Sequence, residues 1–126
     1  MILPTIKSQI VIGKVGQSVI DLLGLPVFSG TPIIIGPLNE QHMIDEHYEN
    51  YLKYFGEIRN ILEIPDYVIP HKTGSLQYVK VFDEHVMVAV RLSNNGVYFA
   101  RSLYVMGQEK VDRWGYLFEK YSLINK

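Results

Sequence analysis

The spacing of apolar residues divides the chain into a helical middle and a C-terminal half of strands. Within residues 36–70, apolar side chains recur three or four positions apart, the spacing of an amphipathic helix. The stripe of the first helix is formed by Ile44, Tyr48, Tyr51, Leu52 and Phe55. Asn39 is expected to cap this helix and Gly56 to end it. A shorter helix is predicted from Ile58 and ends before Pro65.

The C-terminal half alternates β-branched or aromatic residues with polar ones, which is typical of strands. Three strands are predicted, at Leu76–Phe82, His85–Ser93 and Val97–Met106. Asp83-Glu84 and Asn95-Gly96 supply the turns between them. Strands joined by such short turns form an antiparallel meander.

Turn length then assigns side chains to the two faces of the meander. Pairing Phe82 with His85 and Asn94 with Val97 places one apolar set together against the helices. That set is Val79, Val81, Val86, Val88, Val90, Leu92, Phe99, Leu103 and Val105. The opposite face then carries Tyr78, Lys80, Arg91, Ser102 and Tyr104. A three-residue loop at positions 94–96 would move Ser102 to the apolar face.

The N-terminal third predicts a strand at residues 6–12, a short helix at 18–23 and a second strand at 31–35. The expected class is therefore α+β, with the N-terminal strand and the helices packed on one face of an antiparallel meander. Residues 1–126 are expected to form one domain, with a core at about 13–106 and a tail at 107–126. Apolar residues at helical spacing in that tail favour packing on the sheet, although Trp114 could anchor a partner.

Composition excludes several functional classes. The chain has 126 residues, 48% of them hydrophobic, and a net charge of -1, so broad electrostatic binding of nucleic acid is not expected. It has no cysteine, which excludes thiolate catalysis and cysteine-bound metals. The sequence shows neither a signal peptide nor an apolar run long enough for a membrane span, so a cytoplasmic protein without membrane association is predicted.

The histidines do not have metal-site spacing. His42 and His47 lie five residues apart, about 140° around a helix, whereas a zinc pair needs four. We therefore expect neither a metal nor another cofactor. His47 borders the apolar stripe and could face the sheet or be a partly buried structural residue; His42 has the pattern of a surface residue.

The polar face of the meander has two interpretations. Lysine and arginine bind phosphate oxygens, and tyrosine rings can stack on bases. The same residue types also occur on any solvated sheet face.

In order along the chain, these elements resemble phage-encoded nuclease-like domains of the fold shared by barnase, EndoU, colicin D and the RelE toxins. The resemblance covers about residues 13–106. It rests on His42-x4-His47, Ile61-Leu62-Glu63-Ile64-Pro65-Asp66, Tyr78-Val79-Lys80, Val88-Ala89-Val90-Arg91 and Ala100-Arg101-Ser102-Leu103-Tyr104.

The resemblance implies cleavage of RNA without metal, by attack of the 2′-hydroxyl on the adjacent phosphate. The implied catalytic residues are His47, Lys80, Arg91 and Ser102. The implied substrate-binding residues are His42, Tyr78, Arg101 and Tyr104, and either helix histidine could act. The substrate would be a specific RNA such as a tRNA or another structured RNA, and an immunity or antitoxin protein is a possible partner. The alternative is a phage-derived module of the same fold that binds a protein without chemistry.

Overall fold

A computed structural model describes residues 5–71, 73–93 and 96–124 of the chain. The strands of the sheet are β1 (Ile10–Lys14), β2 (Pro32–Ile35), β3 (Tyr67–Pro70), β4 (Ser75–Val81), β5 (His85–Leu92) and β6 (Tyr98–Val105). The helices are α1 (Gln17–Leu23), α2 (Pro37–Glu46), α3 (Tyr48–Tyr54), α4 (Ile58–Glu63), α5 (Gln108–Arg113) and α6 (Gly115–Lys120). A 3-10 turn at Phe55–Glu57 links α3 to α4.

The strands form one sheet in the order β1-β2-β6-β5-β4-β3. Every neighbouring pair is antiparallel except β2 and β6, which are parallel. The α+β class and the antiparallel meander of β4, β5 and β6 are therefore confirmed. β3, for which no strand is predicted from the sequence, pairs along β4 and forms one edge of the sheet.

The predicted register of β4 is wrong by one residue. Val81 pairs with His85, so three residues, not two, connect β4 to β5. The N–H of Phe82 donates to the carbonyl of Glu84 and closes this longer turn at 2.9 Å. Because strand side chains alternate between faces, the shift turns Tyr78 into the helix-covered core and places Val79 on the opposite face.

A β-bulge sets the register of β6. The N–H of Ser93 donates to the carbonyl of Val97 across the turn, so three positions connect β5 to β6. Of these, 94 and 95 lie outside the described residues. This is the longer loop that would move Ser102 to the core face. Arg101 restores the face, because it is an extra residue between the pairs Val90 with Ala100 and Ala89 with Ser102. The bulge therefore keeps Ser102 on the predicted face.

Two expected core residues, Phe99 and Leu92, lie outside the core. The three-position connection before β6 sets the face of Phe99, which precedes the bulge. Tyr98 and Ala100 face the helices, whereas Phe99 lies on the other face and is half-buried. Leu92 is 44% exposed. The remaining predicted pairs, Val86 with Val105 and Val88 with Leu103, are confirmed.

The helical stripe differs from the prediction because His47 interrupts the helix. Its backbone dihedrals, φ -144° and ψ 62°, are not helical, so α2 ends and α3 begins there. This break turns α3 relative to one continuous helix. Met43 and Tyr54 are buried as a result, and Leu52 is 62% exposed. Tyr48 is also exposed, at 41%. The expected packing of Tyr48 and Leu52 against the meander is therefore wrong.

Buried Glu40 joins the start of α2 to two other segments. Its carboxylate accepts hydrogen bonds from the Ile6 N–H, the Thr5 hydroxyl and the Tyr51 hydroxyl, at 2.8, 2.8 and 2.7 Å. Asn39 does not occupy the cap position: α2 begins at Pro37, and the Asn39 side chain accepts from the N–H of Gly36. These contacts hold α2 in a defined position beside the sheet.

The tail packs on the face of the sheet away from α2, α3 and α4. A second apolar cluster on that face joins Val79 and Met87 of the sheet to Trp114 and Phe118 of the tail. Gly115 begins α6, so the tail forms two short helices that meet at Trp114.

Candidate functional site

The candidate site lies on the sheet face that bears the tail, which we call the second face. Two neighbouring rows of side chains cross β4, β5 and β6 there: Gln77, Ala89 and Ser102 in one, and Val79, Met87 and Tyr104 in the next. The tail covers the second row and leaves the first row beside an open pocket.

That pocket has a volume of about 280 Å³, and we call it the arginine pocket. Its lining residues are His42, Thr73, Ser75, Ala89, Arg91, Arg101 and Ser102. Small side chains form its floor, because Ala89 and Ser102 sit side by side on adjacent strands. Two guanidinium groups, one imidazole and three hydroxyl groups therefore surround one cavity.

Neither arginine of the pocket is paired with a carboxylate of the described residues. Among residues 5–71, 73–93 and 96–124, the salt bridges are Lys53 with Glu84 and Arg59 with Glu63. Arg91 and Arg101 are both exposed, and no acidic residue lines the pocket. Guanidinium groups present planar donors that fit phosphate oxygens, so this arrangement suits a phosphate group.

The helix histidines reach the second face around the edge of β6. β2 pairs with β6 only at Ile33 and Ile34, so the rest of that edge is free of strand pairing in the described chain. α2 and α3 pack along it. His42 is exposed and lines the arginine pocket. His47 is half-buried instead, and its ring stacks on Tyr104 with centroids 5.2 Å apart.

Tyr104 packs beside the tail, two residues beyond Ser102 on β6. Lys110 donates to the Tyr104 hydroxyl at 2.8 Å, and its ammonium also lies 4.6 Å from the centre of the Trp114 ring. His47 contacts the same tyrosine ring. The sequence analysis does not single out Lys110, because its contact with Tyr104 depends on how the tail packs.

Two residues predicted for the polar face lie elsewhere. Tyr78 is fully buried in the core, and burial raises the pKa of its hydroxyl, which has no hydrogen-bond partner among the described residues. Lys80 follows the same shifted register, and its ammonium donates to the carbonyl of Ile64 at 2.7 Å. The placement of both residues beside Arg91 and Ser102 is wrong, and the cause is the three-residue turn after β4.

His71 is a residue near the pocket to which the sequence analysis gives no role. It lies in the turn between β3 and β4, and its Nδ1 is 2.9 Å from the hydroxyl of Thr73. That hydroxyl lies 3.2 Å from the hydroxyl of Ser75, and both hydroxyls line the arginine pocket. Gly74, at φ 85°, adopts the left-handed conformation that this tight turn requires. The dipeptide Thr73-Gly74 is the only sequence signal for the turn, and it does not indicate which strands meet there.

The N–H of Thr73 also approaches Nδ1 of His71, at 3.3 Å. Since an N–H can only donate, this contact is a hydrogen bond when Nδ1 carries no proton.

Within the described part of the chain, no three histidine or acidic side chains are grouped as metal ligands. The expectation that catalysis needs no metal stays a prediction. No described helix combines the length and the apolar character needed to span a bilayer.

The sheet carries α2, α3 and α4 on one face. On the other it carries two arginines, without carboxylate partners among the described residues, beside a histidine, which fits the class of nuclease-like α+β domains. The family model PBECR3, described as phage-Barnase-EndoU-ColicinE5/D-RelE like nuclease3, matches residues 9–113. The chain therefore belongs to this family of nuclease-like domains, and the resemblance stated from the sequence is confirmed. Membership implies a nucleic-acid substrate. No significant match was found among curated proteins or solved structures.

Proposed function

We propose that the protein cleaves RNA without a metal ion, by attack of a 2′-hydroxyl on the adjacent phosphate in the arginine pocket. The observation that carries this proposal is the convergence of Arg91 and Arg101 with His42 and Ser102 around one cavity. The family supports a nuclease, and the choice of RNA rests on the chemistry of these groups.

The two arginines bind the scissile phosphate and stabilise the charge that grows on its nonbridging oxygens. Both are free of carboxylate partners in the described chain, so their charge is not neutralised before substrate arrives. Arg101 owes its place to the bulge, a feature that often re-aims a side chain next to an active site. The hydroxyl of Ser102 supplies one more donor to the same phosphate.

In this proposal, two histidines on different elements exchange protons with the substrate. His42 lines the cavity from α2, beyond β6. His71 lies in the turn that precedes β4 and contacts the Thr73 hydroxyl, which lines the cavity. Since β5 separates β6 from β4, the two histidines belong to elements on different sides of the cavity. An in-line displacement requires this arrangement, because the attacking and leaving oxygens lie on opposite sides of phosphorus.

The reaction forms one bond and breaks one. One imidazole accepts the proton of the 2′-hydroxyl while its oxygen bonds to phosphorus. The bond from phosphorus to the 5′-oxygen breaks, and the other imidazole donates a proton to that oxygen. The products are a 2′,3′-cyclic phosphate and a 5′-hydroxyl end, and no water or metal is consumed.

His47 and Tyr104 have a supporting role in this proposal. The ring of His47 contacts that of Tyr104, which lies two residues beyond Ser102 on the same face, and neither side chain lines the arginine pocket. His42, rather than His47, is the helix histidine that lines the cavity.

The net charge of -1 gives no broad attraction to RNA, so recognition must be local. A structured RNA that presents one accessible loop fits this requirement. An immunity or antitoxin partner, a toxin-like role and a cytoplasmic location stay predictions.

The direct test is incubation of the purified protein with structured RNAs in EDTA, followed by analysis of the ends. We expect 2′,3′-cyclic phosphate and 5′-hydroxyl ends. A single 2′-deoxy nucleotide at the cut should block cleavage, because the nucleophile is gone. Cleavage of all-deoxy strands at a similar rate, or strict dependence on added Mg²⁺, would contradict the mechanism.

The histidine assignment is tested by a matched pair of variants in neighbouring helices. His42→Gln should lower kcat roughly 10²- to 10⁴-fold, as loss of a general acid or base does. His47→Gln should have a smaller effect, since His47 contacts Tyr104 and does not line the cavity. The reverse order of effects would assign the chemistry to His47.

The alternative is a module of this fold that binds a protein without chemistry. The tail favours it in part, because α5 and α6 already cover the row of Val79, Met87 and Tyr104. No tail residue up to position 124 lines the arginine pocket, however. Failure to bind or cleave any RNA, with Arg91 and Arg101 protected by a protein partner, would favour the module.

A further inference from the structure

A larger pocket adjoins the arginine pocket along β5 and β6. Its volume is about 520 Å³, and it shares Arg91 and Arg101 with the smaller cavity. Its other walls include Phe99 and Leu92 from the strands, Leu38 from the start of α2, and Gln9 from the segment before β1. None of the residues that line it is acidic.

We propose that this larger pocket binds an unpaired nucleobase of the RNA, on the nucleotide next to the scissile phosphate. The inference rests on the proposed function, because it takes the arginine pocket as the phosphate site. It assigns base recognition to the neighbouring cavity, because a phosphate site alone does not recognise a base.

The first argument is the distance between the two cavities. Arg91 pairs directly with Phe99 across β5 and β6, so the Cβ atoms of such a pair lie roughly 5 Å apart. Arg101 follows Phe99 by two positions along β6. A phosphate held by these arginines therefore has the larger pocket beside it, as a base lies beside the phosphate of its own nucleotide.

The second argument is the chemistry of the walls. Phe99 is half-buried and offers an aromatic ring on which a base can stack. Leu92 and Leu38 are 44% and 85% exposed, so large apolar surface faces solvent at this cavity. Exposed apolar surface of this kind marks a binding groove more often than ordinary surface.

Polar groups on the same walls can read the edge of a base. Gln9 and Asn39 both carry amides. Asn39 uses its side-chain oxygen to accept from the Gly36 N–H, which leaves its NH₂ group as a donor. Amides match the donors and acceptors on base edges, and the Watson–Crick edge is accessible only in unpaired RNA. The predicted ligand is therefore a single-stranded nucleotide.

The test compares binding of four probes to the wild-type protein in EDTA, by NMR titration. These are adenosine 3′-monophosphate, uridine 3′-monophosphate, ribose 5-phosphate and inorganic phosphate. At least one nucleotide should bind more tightly than both probes that lack a base. Equal affinity for all four, or no binding of any of them, would overturn the base pocket.

Two variants locate the binding surface. Phe99→Leu keeps apolar volume but removes the aromatic ring, and it should weaken nucleotide binding roughly 5- to 150-fold, the loss of one stacked base. Leu92→Glu places a carboxylate at the pocket and should also weaken nucleotide binding. Phe99→Leu should leave the affinity for inorganic phosphate unchanged. The control is Phe28→Ala, since Phe28 is 90% exposed and lines neither cavity.

The outcomes separate this inference from the proposed reaction. Base-dependent binding that requires Phe99, without RNA cleavage, would support the base pocket and contradict the reaction. RNA cleavage with nucleotide affinity unchanged in Phe99→Leu and Leu92→Glu would support the reaction and overturn the base pocket.

Discussion

Two neighbouring parts of one sheet face differ in what covers them. In one part, Val79, Met87 and Tyr104 present large side chains, and the tail packs Trp114 and Phe118 onto them. In the other, Ala89 and Ser102 are small, and a cavity remains beside Arg91 and Arg101. The strands are the same, and the rows are only two residues apart.

This difference shows how one scaffold separates stability from chemistry. Burial of the apolar row stabilises the fold, because aromatic and aliphatic area leaves water. The open part buries no comparable apolar area. Arg91 and Arg101 beside its cavity keep their charge for a ligand. We therefore expect substitutions in the covered part to lower stability and substitutions in the open part to lower activity.

The largest expected effect is in the covered part. Phe118→Ala should lower the free energy of unfolding by roughly 3–5 kcal/mol, because Phe118 is 8% exposed and contacts Tyr67, His85 and Trp114. Urea denaturation measures the change. Tyr116→Ala in the same helix is the control, since Tyr116 is 69% exposed. Equal stability of both variants would mean that the tail does not hold this face.

The next effect is in the open part. Arg91→Ala should lower kcat of RNA cleavage roughly 10²- to 10³-fold, as loss of one donor to developing charge does. Stability should change little, because Arg91 is exposed and lacks a carboxylate partner in the described chain. Arg113→Ala is the matched control, since Arg113 is exposed on α5 and lines neither cavity. Full activity of Arg91→Ala would remove the arginine pocket from the mechanism.

A pH-dependent effect concerns the helix that carries His42. Desolvation alone raises the pKa of Glu40, but hydrogen bonds from Ile6, Tyr51 and Thr5 outweigh it and hold the pKa below its usual value. Because the folded-state pKa is lowered, this stabilisation is present above the unfolded pKa and disappears as pH falls through the folded value. Glu40→Gln should cost about 1–3 kcal/mol at neutral pH.

Thermal unfolding from pH 7 to pH 3 tests this expectation. The difference in stability between the wild type and Glu40→Gln should shrink as the pH falls below about 4.5. A constant difference across this range would contradict the role assigned to the carboxylate.

The smallest expected effect distinguishes the core face from the second face. Tyr78→Phe removes a buried hydroxyl that has no partner among the described residues, so stability should stay within about 1 kcal/mol of the wild type or rise. RNA cleavage should be unchanged, because Tyr78 lies in the core. A large loss of cleavage with an intact fold would return Tyr78 to the substrate site.

Local pattern by itself determined much of the architecture. The strands of the meander, the short helix at Gln17–Leu23 and the end of α4 before Pro65 follow from side-chain periodicity and turn residues. The family resemblance rests on the same ordered elements. Arg91, Arg101 and Ser102 were also named from the sequence, and all three line one cavity.

Tertiary structure alone decided which side chains meet. A turn of three residues instead of two moved Tyr78 and Lys80 away from the site, and the bulge at Arg101 kept Ser102 in it. Turn length and bulges depend on the fit between whole strands, which residue types specify only weakly. Lys110 contacts Tyr104 through the packing of the tail on the sheet, and His71 contacts Thr73, a residue that lines the pocket. The contact of Lys110 follows from packing between elements, and no local pattern encodes it.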